Sequence, residues 1–293
     1  MTAALGFGVS GPHGQAWFSE KKFARLVAQA IDGGIRHFDT APFYGEAEAR
    51  LGRALRTAGA RDAIVGTKTG TRREGGRIIK EFSANAIRAD VDSSLKRLGR
   101  DALDMLYLHG PSPPEIDAAL PCLSALKADG KVKAIGVCGE GAALDHAVAN
   151  GFDAIMGVFN IIDRRHAAVF ARARARGVQT AAIAPIAQGA FAHRGAPASL
   201  SELWRLMRSA ARGRPPAVAI KTARAALSTI ADLPPSGAAL AFVLQGGFAS
   251  LAFTTTTNAA HLRESLGAAQ YPLSEAALAR LSALALDPAR GQS

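Results

Sequence analysis

The 293-residue chain predicts an α/β fold, a (β/α)8 TIM barrel built as one domain over residues 1–293. Three observations predict it. Short apolar runs alternate with longer amphipathic stretches along the whole chain, and strands that alternate with helices pair in parallel through crossovers. The alternation repeats eight times, which suits a sheet closed on itself better than an open one. No low-complexity tract or linker interrupts it, and one barrel takes roughly 250 residues before insertions.

The elements follow in order. Strand segments fall at 5–9, 36–39, 64–68, 104–109, 133–138, 154–160, 180–184 and 250–254. Helical periodicity marks 20–32, 46–56, 84–98, 115–129, 142–150, 166–176 and 238–244 between them. Two further helices, 260–267 and 275–286, follow the last strand. Gly33-Gly34 stops the first helix where a left-handed backbone is needed, and Gly130 and Gly177 act likewise later. Ser83 and Ser274 are expected as N-caps. The even spacing breaks once, at 185–249, where two extra amphipathic stretches, 200–211 and 219–230, flank Arg214-Pro215-Pro216. Loops after barrel strands line the active face, so these extra helices between strands 7 and 8 are expected to cover a bound ligand.

Charge and composition narrow the function. The formal net charge is +11, yet basic residues are scattered. Arg172, Arg174 and Arg176 spread around a helix instead of forming one stripe, so no nucleic-acid partner is expected. A basic field does suit an anionic cofactor. The two cysteines, Cys122 and Cys138, indicate neither a disulfide framework nor a metal cluster, and the histidines lack ligand spacing. No apolar run approaches the roughly 20 residues that cross a bilayer, and no secretory leader is visible, so neither a membrane partner nor export is expected. The expected location is the cytoplasm.

Four reactive side chains fall at the ends of three successive strands. Asp39 ends the second, with Tyr44 five residues on; Lys68 ends the third and His109 the fourth. Singly, each has an ordinary reading as a cap, a packed ring, a solvated cation or a core histidine. Together they converge on one barrel mouth, where barrel enzymes keep their chemistry. Trp17, in the loop after the first strand, and Phe43 are expected as apolar walls of a substrate pocket. Tyr107 shares strand parity with His109 and is expected to face the same interior.

The run Gly34-Ile35-Arg36-His37-Phe38-Asp39-Thr40-Ala41, then Tyr44-Gly45, Glu48 and Leu51-Gly52, resembles the first signature of the aldo-keto reductases. Leu95 to Gly99 with Asp104 to His109, and Gly130 to Val137, resemble their fourth- and fifth-strand motifs. The likeness is nearest the sugar and pyridoxal dehydrogenase-like bacterial members. It implies an NAD(P)-dependent oxidoreductase that interconverts an alcohol with an aldehyde, ketone or sugar-type carbonyl. Tyr44 would be the general acid/base, Lys68 would lower its pKa, Asp39 would pair with Lys68, and His109 would orient the carbonyl. The implied cofactor is NADPH or NADH, contacted at Cys138, Asn160, Ala184, Ile186, Thr254, Thr255, Thr256, His261 and Ser265.

The rim departs from the family's pattern. Cys138, Gly139 and Met156 stand where many members carry Ser-Asn and Gln against the carboxamide, and Ile183 where many stack an aromatic ring. No basic clamp for a 2′-phosphate follows the eighth strand. These departures suggest an alternative, non-redox lyase, dehydratase or isomerase chemistry on the same four residues.

Overall fold

The computed structural model describes residues 2–191 and 215–284, together with 199–201, 203, 204 and 207. Among these residues ten strands occur in chain order: β1 (Ala4–Gly8), β2 (His37–Asp39), β3 (Ile64–Thr69), β4 (Thr71–Glu74), β5 (Arg77–Lys80), β6 (Met105–His109), β7 (Ile135–Cys138), β8 (Ala154–Val158), β9 (Gln179–Ile183) and β10 (Leu251–Thr254). Eight of them are parallel and close into a barrel in the order β1-β10-β9-β8-β7-β6-β3-β2. The helices are α1 (Glu20–Asp32), α2 (Ala47–Thr57), α3 (Ala84–Leu98), α4 (Pro113–Ala128), α5 (Ala142–Ala149), α6 (Ala167–Ala175), α7 (Ala217–Leu227), α8 (Pro235–Gln245), α9 (Ala259–Gln270) and α10 (Glu275–Ser282).

Every expected barrel strand is present, with ends shifted by no more than two residues. The helix punctuation also holds. Ser83 Oγ accepts the Ala86 N–H at 3.3 Å, and Ser274 Oγ accepts that of Ala277 at 3.2 Å. The helical expectation at 219–230 corresponds to α7. Most of the expected helix at 200–211 lies outside the described residues. A two-stranded antiparallel sheet, β4–β5, was not expected. Its Gly75-Gly76 turn has φ of 54° and 82°, the left-handed pair that a tight hairpin turn demands.

Strand parity sorts side chains between two cores. Outward residues such as Phe38, Val65, Leu106, Leu108 and Val137 pack beneath the helices. Inward residues Met105, Tyr107, Cys138, Ala154, Met156, Ala181, Leu251 and Phe253 fill the barrel itself. Large and small side chains interdigitate there, as a packed barrel requires. A Cβ at Gly136 would lie 2.5 Å from the Tyr107 ring, so the tyrosine fits only because that position is bare. α1 buries Phe23, Leu26, Val27 and Ala30, an i, i+3, i+4, i+7 stripe that fixes its face on the barrel.

One outward contact clamps the strand that carries Lys68. Glu48 of α2 is fully buried; its carboxylate accepts from Thr67 Oγ1 at 2.6 Å and from Arg97 Nε at 2.6 Å. The register is thereby pinned from behind. Glu48→Ala is expected to cost about 1–3 kcal/mol, because Thr67 and Arg97 lose a charged acceptor in a buried place. Urea unfolding at neutral pH checks this, and a loss below about 0.5 kcal/mol, the ordinary surface range, contradicts it.

Candidate active site

β2 and β3 pair with Asp39 opposite Gly66, which sets Lys68 two residues beyond, on the same inward face. Lys68 Nζ donates to Asp39 Oδ1 at 2.5 Å and to the Thr40 carbonyl at 2.8 Å. Both side chains of this ion pair are buried, at 2% and 7% exposure. Tyr44 comes from a 3-10 turn, Pro42–Tyr44, and its ring centroid lies 5.2 Å from Lys68 Nζ. His109, at the end of β6, meets the Tyr44 ring at 6.3 Å and 80°. The four expected residues therefore form one cluster at the C-terminal mouth.

The backbone of Tyr44 is held from the loop after β1. Glu46 N–H donates to the Gly14 carbonyl at 3.0 Å. A Cβ at Gly14 would sit 1.4 Å from the Tyr44 carbonyl oxygen, so only glycine permits this approach. Neighbouring His13 bridges two loops, its ring nitrogens each 3.0 Å from the carbonyls of Ser10 and Thr256.

The electrostatics of the cluster follow from burial and from the Lys68–Asp39 pair. Burial works against the Lys68 ammonium, but the Asp39 charge beside it holds the lysine above its ordinary range. Burial pushes the Asp39 carboxyl up, with Lys68 opposing. Burial also raises the Tyr44 phenol above its usual value; Lys68 pulls it down, while Asp39 and Cys138 push it back up. Lys68 thus acts in the direction the resemblance implies, with burial the larger opposing influence and the Asp39 charge a lesser one. The net direction favours the protonated phenol.

The remaining expected positions divide into those at the cluster and those away from it. Phe43 is at the mouth, with its ring 5.9 Å from that of His109 and perpendicular to it. Cys138 is the register partner of His109 and is buried; burial pushes its thiol up to about 11, leaving it neutral. Tyr107 faces inward as parity requires, but it is core and not a mouth wall. It lines a cavity of about 230 Å³ with His37, Ile64 and Asp104, toward the strands' N-terminal ends. Trp17 is exposed and touches Phe18 edge-on, with no ring contact to the four-residue cluster.

Several rim hydroxyls and amides are engaged within the protein. Asn160 donates from Nδ2 to the Ala184 carbonyl at 3.2 Å, and its Oδ1 accepts from Ile162 and Asp163 N–H groups. Thr254 Oγ1 lies 3.4 Å from Ser265 Oγ, which donates to the His261 carbonyl at 3.0 Å. Thr256 Oγ1 accepts the Asn258 N–H at 3.1 Å. Thr255 packs against β1, where a Cβ at Gly8 would come within 2.6 Å of its hydroxyl. His261 is exposed on α9, and Ile186 is half-buried.

The backbone of this rim carries its own signal. Ala184 and Ala187, flanking Ile186, hold φ of 55° and 47°, a left-handed conformation that costs a non-glycine residue roughly 1–2 kcal/mol. Such strain concentrates where a ligand is clamped. Asn258 caps α9 by accepting the Ala260 N–H at 2.9 Å, and a helix start at the mouth suits an anion.

Removing one partner of the buried ion pair isolates its contribution. Lys68→Met should destabilise by about 3–5 kcal/mol by leaving Asp39 buried and alone. Adding Asp39→Asn should recover part of the loss, since the pair acts as a unit. Urea unfolding of the two singles and the double gives the answer; strictly additive losses contradict the coupling.

Comparison with known proteins agrees with this geometry. The Aldo/keto reductase family model matches residues 4–285. An L-galactose dehydrogenase from Arabidopsis thaliana is 31% identical over 212 residues, covering 67% of this chain and 65% of that protein. A D-threo-aldose 1-dehydrogenase from a Pseudomonas species is 38% identical over 162 residues, covering 46% of this chain and 49% of that protein. The chain thus spans about half of the length of one of these relatives and just under two thirds of the other. An aldo-keto reductase structure from Bacillus halodurans, in its holo form, superposes with a TM-score of 0.80 at 24% identity, covering 96% of this chain and 92% of that one. Among the described residues no helix is long and apolar enough to cross a membrane. With a family model spanning nearly its whole length and four reactive residues gathered at the barrel mouth, the chain belongs to the aldo/keto reductase family.

Proposed function

We propose that the protein is a nicotinamide-dependent oxidoreductase that interconverts a small carbonyl compound and its alcohol, with Tyr44 as the proton donor and acceptor. The observation that carries this reading is the Tyr44 ring beside a buried Lys68–Asp39 pair, within ring contact of His109. Two relatives named as sugar dehydrogenases make an aldose-type substrate the first class to test.

In the reductive direction the Tyr44 hydroxyl donates its proton to the carbonyl oxygen as negative charge develops there. Lys68 stabilises the phenolate that results, and Asp39 keeps the ammonium in place and charged. His109 faces the same space and holds the carbonyl oxygen toward the phenol. In the oxidative direction the phenolate takes the proton back from the alcohol. The hydride, which no side chain can provide, would be supplied by a reduced nicotinamide when one is bound. The strained turn at Ala184–Ala187, the α9 start and the Thr254–Thr256 backbone are the groups suited to hold its dinucleotide.

Titration with NADH and NADPH, followed by the fluorescence of the reduced nicotinamide, is expected to show saturable binding of at least one. Tyr44→Phe should keep that affinity and lose about 10²–10⁴-fold in turnover, the usual worth of positioned acid–base help. No binding of either dinucleotide would sink the redox reading in favour of proton transfer without hydride. Near-normal turnover by Tyr44→Phe would remove the tyrosine from the mechanism.

A further inference from the structure

The unexpected hairpin follows directly on Lys68, and it has two unlike faces. Arg72 and Glu74 share one face, where Arg72 pairs with Glu74 and with Glu81, the latter at 2.8 Å. Thr71 and Arg73 occupy the other, as strand alternation requires, together with their cross-strand partners Lys80 and Ile78.

This second face is fastened to the mouth. Thr71 Oγ1 donates to the His109 carbonyl at 2.7 Å, and Lys80 Nζ donates to the Gly110 carbonyl at 2.9 Å. Arg73 extends over Phe43, its guanidinium carbon 4.8 Å from the ring centroid. Phe43 in turn stands perpendicular to the His109 ring. One aromatic ring therefore separates an arginine from the reacting centre.

Arg73 differs from its neighbour in what it touches. Among the described residues it has no hydrogen bond and no acidic partner, although Glu74 is adjacent in the chain. Opposite it on the partner strand, Ile78 is left 58% exposed, an apolar side chain open to contact. A guanidinium is a planar fork that matches a carboxylate by two parallel bonds, and the protein's net charge of +11 favours approach of an anion.

We propose that Arg73 is a specificity-determining residue that binds a carboxylate on the substrate, at the end remote from the reacting carbonyl. Phe43 and Ile78 form the apolar floor and wall between the two ends. The preferred substrates are then carbonyl acids, such as an oxidised sugar or an aldehyde with a terminal carboxylate. This deepens the oxidoreductase reading and rests on it for the position of the carbonyl.

The test uses 4-carboxybenzaldehyde and 4-nitrobenzaldehyde, nearly isosteric rings that differ by one negative charge. Arg73→Ala is expected to lower the ratio of kcat/KM for the acid over the nitro compound by at least about tenfold, chiefly through KM, and Arg73→Lys by less. An unchanged ratio overturns the assignment. Calorimetric titration with 4-carboxybenzyl alcohol reads the subsite without turnover, and Arg73→Ala should weaken its Kd by about tenfold. Turnover of aldehydes with no Arg73 dependence in either measurement refutes the subsite and leaves the oxidoreductase reading standing. Arg73-dependent binding without turnover of either aldehyde does the reverse.

Discussion

The site depends on one interaction, the buried contact between Lys68 and Asp39. An ammonium taken out of water costs several kcal/mol unless a charge and further acceptors replace the lost hydration. Here the replacements are the Asp39 carboxylate and the Thr40 carbonyl, both supplied by the end of β2 and the residue after it. The pair can form only if β2 and β3 keep their register, so much of the surrounding structure fixes that register. Thr67 is tied outward to Glu48 and Arg97, while Asp90 accepts from the Thr69 hydroxyl at 2.7 Å and the Gly70 N–H at 3.1 Å. β3 is thus held from behind on both sides of the lysine.

Burial and pairing together set the chemistry. Burial disfavours the charged phenolate most; Lys68 opposes that, and the Asp39 charge offsets part of its help. The result is a protonated Tyr44 poised to give up its proton only as charge appears on a carbonyl oxygen. Lys68 then matters most after the transfer, when the phenolate needs it. Interactions that strengthen along the reaction are the ones that accelerate it.

Much of this was legible in the sequence because it follows from periodicity. Strand ends at Asp39, Lys68 and His109 are where apolar alternation stops, and a barrel gathers such ends at one mouth. Parity gives the direction of Tyr107 but not its depth, so it does not separate a core ring from a pocket wall. The hairpin escaped because its strands are short and mostly charged, with no buried face to produce a pattern; its Gly75-Gly76 turn was the available signal. Arg73, placed by that hairpin, escaped with it. At the rim, sequence names the hydroxyls of Thr254, Thr256 and Ser265 but not their partners, and the fold engages them internally. The strained backbone at Ala184 and Ala187 has no sequence signature at all.

The acid chemistry proposed for the site turns on Tyr44 staying protonated at neutral pH although a lysine lies beside it. The chain has three tyrosines, so 13C-labelling at the phenol carbon with Tyr44→Phe as reference identifies the Tyr44 signal. Titration followed by NMR is expected to leave the Tyr44 signal unchanged through pH 9, with ionisation only above the ordinary phenol value of about 10. A Tyr44 midpoint near 7 or 8 would contradict the account, showing that the Lys68 charge outweighs the burial of the phenol.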